Sequence, residues 1–111
     1  MKGMFGVRSA ISKRKELLEL ANAMLAGEVN LIEGVRKICS LRFAIGDSEN
    51  EVFFPMRAID SETDHYPLGE MRTKCNIDYL KQMDAEMACY LSNASQDILD
   101  ACKNIIRTYR C

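Results

Sequence analysis

The chain has 111 residues, of which 48% are hydrophobic and 28% charged, a balance that fits one globular domain over 1–111 and excludes a disordered chain. It has no run of about 18 apolar residues to span a membrane, and a net charge of −1 argues against direct binding of nucleic acid. Because the basic start of the chain lacks the apolar stretch of a signal peptide, we expect a cytoplasmic protein.

Two helices are predicted in the first half of the chain, after a flexible N-terminus of about 1–8. The first covers residues 12–26, where apolar side chains recur at helical spacing. Gly27 is expected to end it, because glycine tolerates a positive φ. The second covers residues 31–43, and Asn30 is well suited to cap its N-terminus.

The centre of the chain, about 46–72, is predicted to be irregular and acidic. Between positions 47 and 70 there are seven acids and one base, Arg57, which gives a local net charge of −6. Residues 52–54 are expected to form a short extended piece, and residues 61–64 a turn or a helix start. So long an irregular segment in a small domain is often functional.

The C-terminal third predicts a short helix at 76–83 and then a long one of about 26 residues, or ~39 Å. The long helix carries apolar residues at alternating steps of four and three, namely Met87, Leu91, Ala94, Ile98, Ala101, Ile105 and Tyr109. Such a stripe is typical of core packing, although it also occurs in helices that dimerise. The sequence therefore predicts an all-α fold, a compact bundle of about four helices with a long C-terminal helix.

Few residues favour an enzyme. The single histidine, His65, has no predicted set of metal-ligating neighbours, and no two cysteines have Cys-x-x-Cys spacing. A carboxylate pair of Glu62 and Asp64, or a nucleophile pair of Cys75 and His65, remains as an alternative, which would make the protein a small hydrolase. We expect no catalytic residue, no metal and no cofactor.

The acidic segment favours an interface with another protein. Acids that alternate with apolar side chains are typical of a surface that covers a basic cleft. The residues expected to bind a partner are Asp47, Glu49, Glu51, Phe53, Phe54, Asp60, Glu62, Asp64 and Glu70. The alternative is structural, because residues 61–64 could cap a helix, and Glu62 or Asp64 could pair with Arg36, Arg57 or Arg72.

Four strings between about residues 15 and 109 resemble a group of small helical bacterial proteins. They are Leu20-Ala21-x-x-Met24-Leu25-x-Gly27, Glu33-Gly34-x-Arg36, Ser61-Glu62-Thr63-Asp64-His65-x-Pro67-x-Gly69-x-x-Arg72 and Asp100-Ala101-Cys102. The group includes domains of unknown function and immunity proteins of contact-dependent growth inhibition and polymorphic toxin systems. Within the third string, the residues taken as a structural motif are Ser61, Thr63, Pro67, Gly69 and Arg72.

The resemblance implies a protein that binds and neutralises a cognate toxin. Many such toxins are nucleases with basic active sites, so an acidic inhibitor would cover the site without binding nucleic acid itself. The motif would then be scaffold and the loop at 47–56 the specificity surface, on a chain that is monomeric when bound to its toxin. The rival interpretations are a small metal-dependent or carboxylate hydrolase that uses Glu62, Asp64 and His65, and a regulatory or oligomerisation module built on the long helix.

Overall fold

A computed structural model describes the backbone of residues 2–110 and the side chains of residues 11–110. That part of the chain contains no strand and is built from four α-helices, which are α1 (Lys2–Leu25), α2 (Leu31–Ala44), α3 (Phe54–Thr63) and α4 (Ile77–Tyr109). Short 3₁₀ turns lie at Glu51–Phe53 and Gly69–Lys74. The predicted all-α class is confirmed. None of the described helices is long and apolar enough to cross a membrane.

The ends of α1 and α2 lie where capping residues in the sequence predict them, except for the start of α1. It starts at Lys2 and not at about Ser12, so it includes the segment that was predicted to be flexible. It ends before Gly27, which has a φ of +74° as the prediction required. Asn30 caps α2, since its side-chain oxygen accepts a hydrogen bond from the backbone N–H of Ile32 at 2.9 Å.

The centre of the chain is more helical than predicted. Residues 52–54 are not extended, because Asn50 caps a 3₁₀ turn that continues directly into α3. Pro55 lies in the first turn of α3, where its missing N–H is not needed and its fixed φ suits the helix. Residues 61–64 form the end of α3 and not a helix start. There the Thr63 hydroxyl donates to the carbonyl of Ile59 at 2.7 Å.

The two helices predicted near the C-terminus are one helix. The residues between Met83 and Met87 are Asp, Ala and Glu, none of which breaks a helix, so α4 continues for 33 residues. Its length of about 50 Å nearly equals the longest dimension of the molecule, 52 Å. Ile98 and Ile105 of the predicted stripe are fully buried against the other helices. The stripe therefore serves core packing within the chain.

Helices α1 and α4 pack side by side in opposite directions. Cys102 Sγ lies 3.8 Å from Met24 Sδ, near the end of α1, whereas Arg14, nearer its start, lies over the Tyr109 ring at 5.5 Å. Helix α2 crosses α1 very closely at Gly34, where an added Cβ would lie 2.5 Å from Met24 Sδ. An alanine in this position would force the buried Met24 side chain to move.

Candidate functional site

The acids of the central segment do not lie on one face of the molecule. A helix turns by about 100° per residue, so neighbouring side chains of α3 point in different directions. Glu62 lines a groove between α3 and α4, whereas Asp60 and Asp64 line another between α3 and α2. Glu51 and Glu70 are exposed in the two 3₁₀ turns. The single acidic surface predicted from this segment is therefore divided.

The two phenylalanines predicted as partner anchors have different environments. Phe53 is fully buried and stacks on Tyr109, with ring centroids 5.9 Å apart. The prediction that it contacts a partner is wrong, since its ring belongs to the core. Phe54 is 51% exposed, and the guanidinium of Arg57 lies 5.6 Å from its ring centroid. Phe54 thus remains available to a partner.

Asp47 and Glu49, two residues of the loop before α3 that were predicted to bind a partner, contact other residues of the chain. Asp47 accepts hydrogen bonds from the Tyr109 hydroxyl at 2.6 Å and from the Asn50 amide at 3.0 Å. The bond from Tyr109 is the main cause that lowers the pKa of Asp47. Glu49 forms an exposed ion pair of 3.4 Å with Arg57. Asp47 therefore fastens the loop before α3 to the end of α4.

Arg36 and Arg72 were predicted to pair with Glu62 or Asp64, but they bind other groups. Arg36 donates to the backbone carbonyls of Thr63 at 2.6 Å and Tyr66 at 2.9 Å, which caps the end of α3 from α2. Arg72 forms a two-pronged ion pair with Asp84 of α4, with both distances 2.8 Å.

The remaining motif residues also have structural environments. Thr63 is fully buried and Pro67 is buried, while Ser61 is exposed at the end of α3. Gly69 has a φ of +56°, a conformation that favours glycine. Burial of Thr63 and Pro67 and the positive φ of Gly69 are typical of scaffold residues, whereas the exposed Ser61 has no such feature.

The groove between α3 and α4 has a volume of about 530 Å³. Its lining combines apolar and polar side chains, which are Pro55, Ala58, Ile59, Glu62, Tyr90, Asn93, Ala94, Asp97, Asp100, Ala101 and Asn104. Its apolar members, which we call the floor, include the buried Ile59 and Ala101, whereas its acids and amides are exposed. A groove of this kind offers both contact area and charge to a partner.

The charged side chains that line this groove are acidic. Among the residues whose side chains the structure describes, its lining holds the carboxylates of Glu62, Asp97 and Asp100 and no lysine, arginine or histidine. Within residues 11–110 none of the three carboxylates forms an ion pair. Glu62 accepts a hydrogen bond from the Tyr90 hydroxyl at 2.6 Å, and Asp100 accepts one from Gln96 at 3.0 Å. Both bonds leave the negative charges in place for a cationic partner.

Tyr90 holds Glu62 in position across the two helices. Burial, followed by the hydrogen bond to Glu62, raises the pKa of Tyr90 to about 12. The phenol therefore stays protonated at neutral pH and remains a donor. Its bond joins the last lining residue of α3 to the first lining residue of α4, so the carboxylate has a defined place at one end of the groove.

Asp97 and Asp100 were not among the residues predicted to bind a partner, although Asp100 belongs to one of the strings that carry the resemblance. They lie far along the chain from the acidic segment, inside a helix whose apolar stripe was used to predict the fold. The signal was present, because Asn93, Asp97, Asp100 and Asn104 recur at steps of four, three and four on one side of that stripe. A helical projection of α4 would have placed them on one face.

The groove between α2 and α3 differs in charge. It has a volume of about 460 Å³, and its two acids, Asp60 and Asp64, are accompanied by Arg36 and Arg42. The guanidinium of Arg42 lies 4.1 Å from the centroid of the exposed Phe43 ring. Because its charges balance, this groove has no preference for a basic partner.

The residues considered for catalysis do not converge. Glu62 and Asp64, the possible carboxylate pair, line different grooves. His65 is exposed, and its ring centroid lies 4.2 Å from that of Tyr66. Within the part of the chain that the structure describes, no three His, Cys, Asp or Glu side chains are grouped so as to hold a metal ion.

Comparison with known proteins gives one match. A family model described as "Protein of unknown function (DUF2489)" matches residues 10–105, which is most of the chain. No curated protein and no solved structure matches significantly.

Proposed function

The chain belongs to the DUF2489 family, and we propose that it is an immunity protein, acting in the cytoplasm, that binds and neutralises a cognate bacterial toxin. The observation that carries the proposal is the groove between α3 and α4, where three carboxylates that form no ion pair within residues 11–110 lie beside an apolar floor. A nuclease toxin, whose active site is basic, offers the opposite charge on the elements that border that site. Docking of the groove on this border would cover the active site and exclude its substrate.

In this proposal the charges of the groove affect association with the toxin, and its apolar floor affects dissociation. Exposed ion pairs contribute only about 0–1 kcal/mol each, so the three carboxylates act mainly on the rate of association. Attraction of this kind extends over roughly 8 Å at physiological ionic strength. The apolar floor contributes by excluding water from the formed complex, which slows dissociation.

The test replaces the three carboxylates with isosteric amides, in the combined variant Glu62→Gln, Asp97→Asn and Asp100→Asn. Association with the protein encoded immediately upstream, the candidate toxin, is measured at low and high salt together with protection of cells. The variant should associate at least about tenfold more slowly at low salt and protect poorly. Added salt should slow the parent strongly and the variant little.

A matched control separates the groove from net charge. Glu19, Glu28 and Glu86 are exposed and lie outside the groove, so their replacement by Gln removes the same total charge. We expect the control variant to protect like the parent. If both variants are equally impaired, only net charge matters. If neither is impaired while the toxin still binds, the groove is not the contact surface.

A further inference from the structure

Both walls of the groove have the spacing of a helix that contacts another helix. The lining of α3 follows steps of three, one and three, with Pro55, Ala58, Ile59 and Glu62. The lining of α4 follows the same pattern for longer, with Tyr90, Asn93, Ala94, Asp97, Asp100, Ala101 and Asn104. These are the steps by which one helix packs along a neighbour. The α4 face shares Ala94 and Ala101 with the buried stripe, so α4 can contact helices on two adjacent sides.

The dimensions of the groove fit one further helix. The α4 wall extends for about 21 Å, from Tyr90 to Asn104, whereas the α3 wall extends for only about 10 Å, from Pro55 to Glu62. A helix of about four turns matches the long wall. A helix also satisfies its own backbone hydrogen bonds, whereas an extended segment would leave its backbone polar groups against the apolar floor.

The floor permits close approach. Ala58 and Ala94 have short side chains, and Ile59 adds a buried apolar surface beside them. Small residues let helix axes come to the short end of the usual 8–10 Å separation. The occupant therefore presents apolar side chains of modest size along the face that enters the groove.

We infer that the groove receives a basic amphipathic helix of the toxin, an inference that rests on the proposed function. Asp97 and Asp100 lie about one turn apart on the α4 side, and Glu62 lies on the α3 side. The incoming helix carries lysines or arginines on both of its flanks, and these form ion pairs with the three carboxylates. Along the flank that faces α4, the basic residues are three or four positions apart. Tyr90 is a positioning residue, because its hydroxyl fixes where Glu62 stands.

The probes are two synthetic peptides of sixteen residues with the same content of Ala, Leu and Lys. One places Leu and Ala on one face and Lys on its flanks, and the other has the same residues scrambled so that no face forms. Fluorescence anisotropy measures their binding to the full chain at physiological salt. The amphipathic peptide should bind at least about tenfold more tightly than the scrambled one. Equal affinities, or no binding of either below about 1 mM, overturn the inference.

A pair of substitutions tests the floor without changing charge. Ala58 lines the groove, whereas Ala88 is exposed on α4 outside it. Ala58→Phe should weaken binding of the amphipathic peptide about tenfold, and Ala88→Phe should leave it unchanged. If Ala58→Phe binds the peptide like the parent, the attraction is only electrostatic and the inference fails.

The same variants distinguish failure of this inference from failure of the proposed function. If Ala58→Phe neutralises the toxin normally while the triple amide variant does not, the chain is an inhibitor that uses its charges but does not receive a helix. If the peptide data are as expected but neither the parent nor any variant neutralises the neighbouring toxin, the groove binds helices and the immunity function is wrong.

Discussion

Replacing Tyr109 with Phe should destabilise the fold in a way that depends on pH. The Tyr109 hydroxyl donates to Asp47 at 2.6 Å, which ties the end of α4 to the loop that precedes α3. Phe keeps the ring that stacks on Phe53 and removes only the hydroxyl. The side chain of Tyr109 is 6% exposed, so water replaces the lost bond poorly. A hydrogen bond to a charged group contributes about 1.5–3 kcal/mol, and the partial exposure of Asp47 favours the lower end.

The sign of the pH dependence follows from two pKa shifts. The hydrogen bond from Tyr109 lowers the pKa of Asp47 below its usual 3.8, so this stabilisation is present above pH 3.8 and is lost as the pH falls through the folded value. Burial, and then the bond to Asp47, raises the pKa of Tyr109 above its usual 10. The stabilisation from Tyr109 is therefore present below pH 10 and is lost as the pH rises further.

The assay is denaturant unfolding of the parent and the variant at pH 7 and near pH 3. Tyr109→Phe should lose about 1.5–2 kcal/mol at pH 7 and less near pH 3, because below the usual pKa of 3.8 part of the stabilisation from the Asp47 carboxylate has been lost. Tyr79→Phe is the control, since Tyr79 is 43% exposed and its hydroxyl forms no hydrogen bond with residues 11–110. It should change stability by less than about 0.5 kcal/mol. A loss that is equal at both pH values would refute the reasoning.

Two further substitutions test how the helices are held together. Gly34→Ala would place a Cβ 2.5 Å from Met24 Sδ. The overpacking should destabilise the fold by about 1–3 kcal/mol. This loss should exceed the stabilisation of roughly 1 kcal/mol that comes from the higher helix propensity of Ala. The net loss of unfolding free energy should be smaller in a Met24→Ala background, and an equal loss in both backgrounds would contradict the close contact. Arg36→Met removes the donors to the carbonyls of Thr63 and Tyr66 and should cost about 2–4 kcal/mol, with faster amide hydrogen exchange at the end of α3. A chemical denaturation midpoint like that of the parent would show that water caps α3 equally well.

The parts of the fold that the sequence predicted correctly depend on local signals. Asn30 caps α2 because its side chain reaches an N–H group two residues away, and Gly27 ends α1 because its own φ is positive. The apolar stripe on α4 could also be predicted, because the spacing of Ile98 and Ile105 places them on one face of any α-helix. In each case the residues that determine the structure are close together in the sequence.

The incorrect predictions concern residues whose structure is determined by tertiary contacts. Residues 52–54 were predicted to be extended, yet the proline that follows them, Pro55, suits the first turn of a helix once Asn50 caps the preceding turn. Phe53 was predicted to bind a partner because it lies among acids in the sequence. Its burial depends on Tyr109, which lies more than fifty residues later and brings its ring to 5.9 Å. No local pattern predicts such a contact.

The scaffold and the candidate binding surface alternate along α3, and this links stability to binding. Met56 and Thr63 face the core, Glu62 lines the groove, and the buried Ile59 contributes to both. Because Arg36 caps the carbonyl of Thr63, its guanidinium also fixes the helix end that carries Glu62. A motif substitution would therefore weaken binding indirectly, by loosening the α3 wall of the groove. Only substitutions such as Asp97→Asn, on the long and continuous α4 wall, separate the charge of the groove from the position of α3.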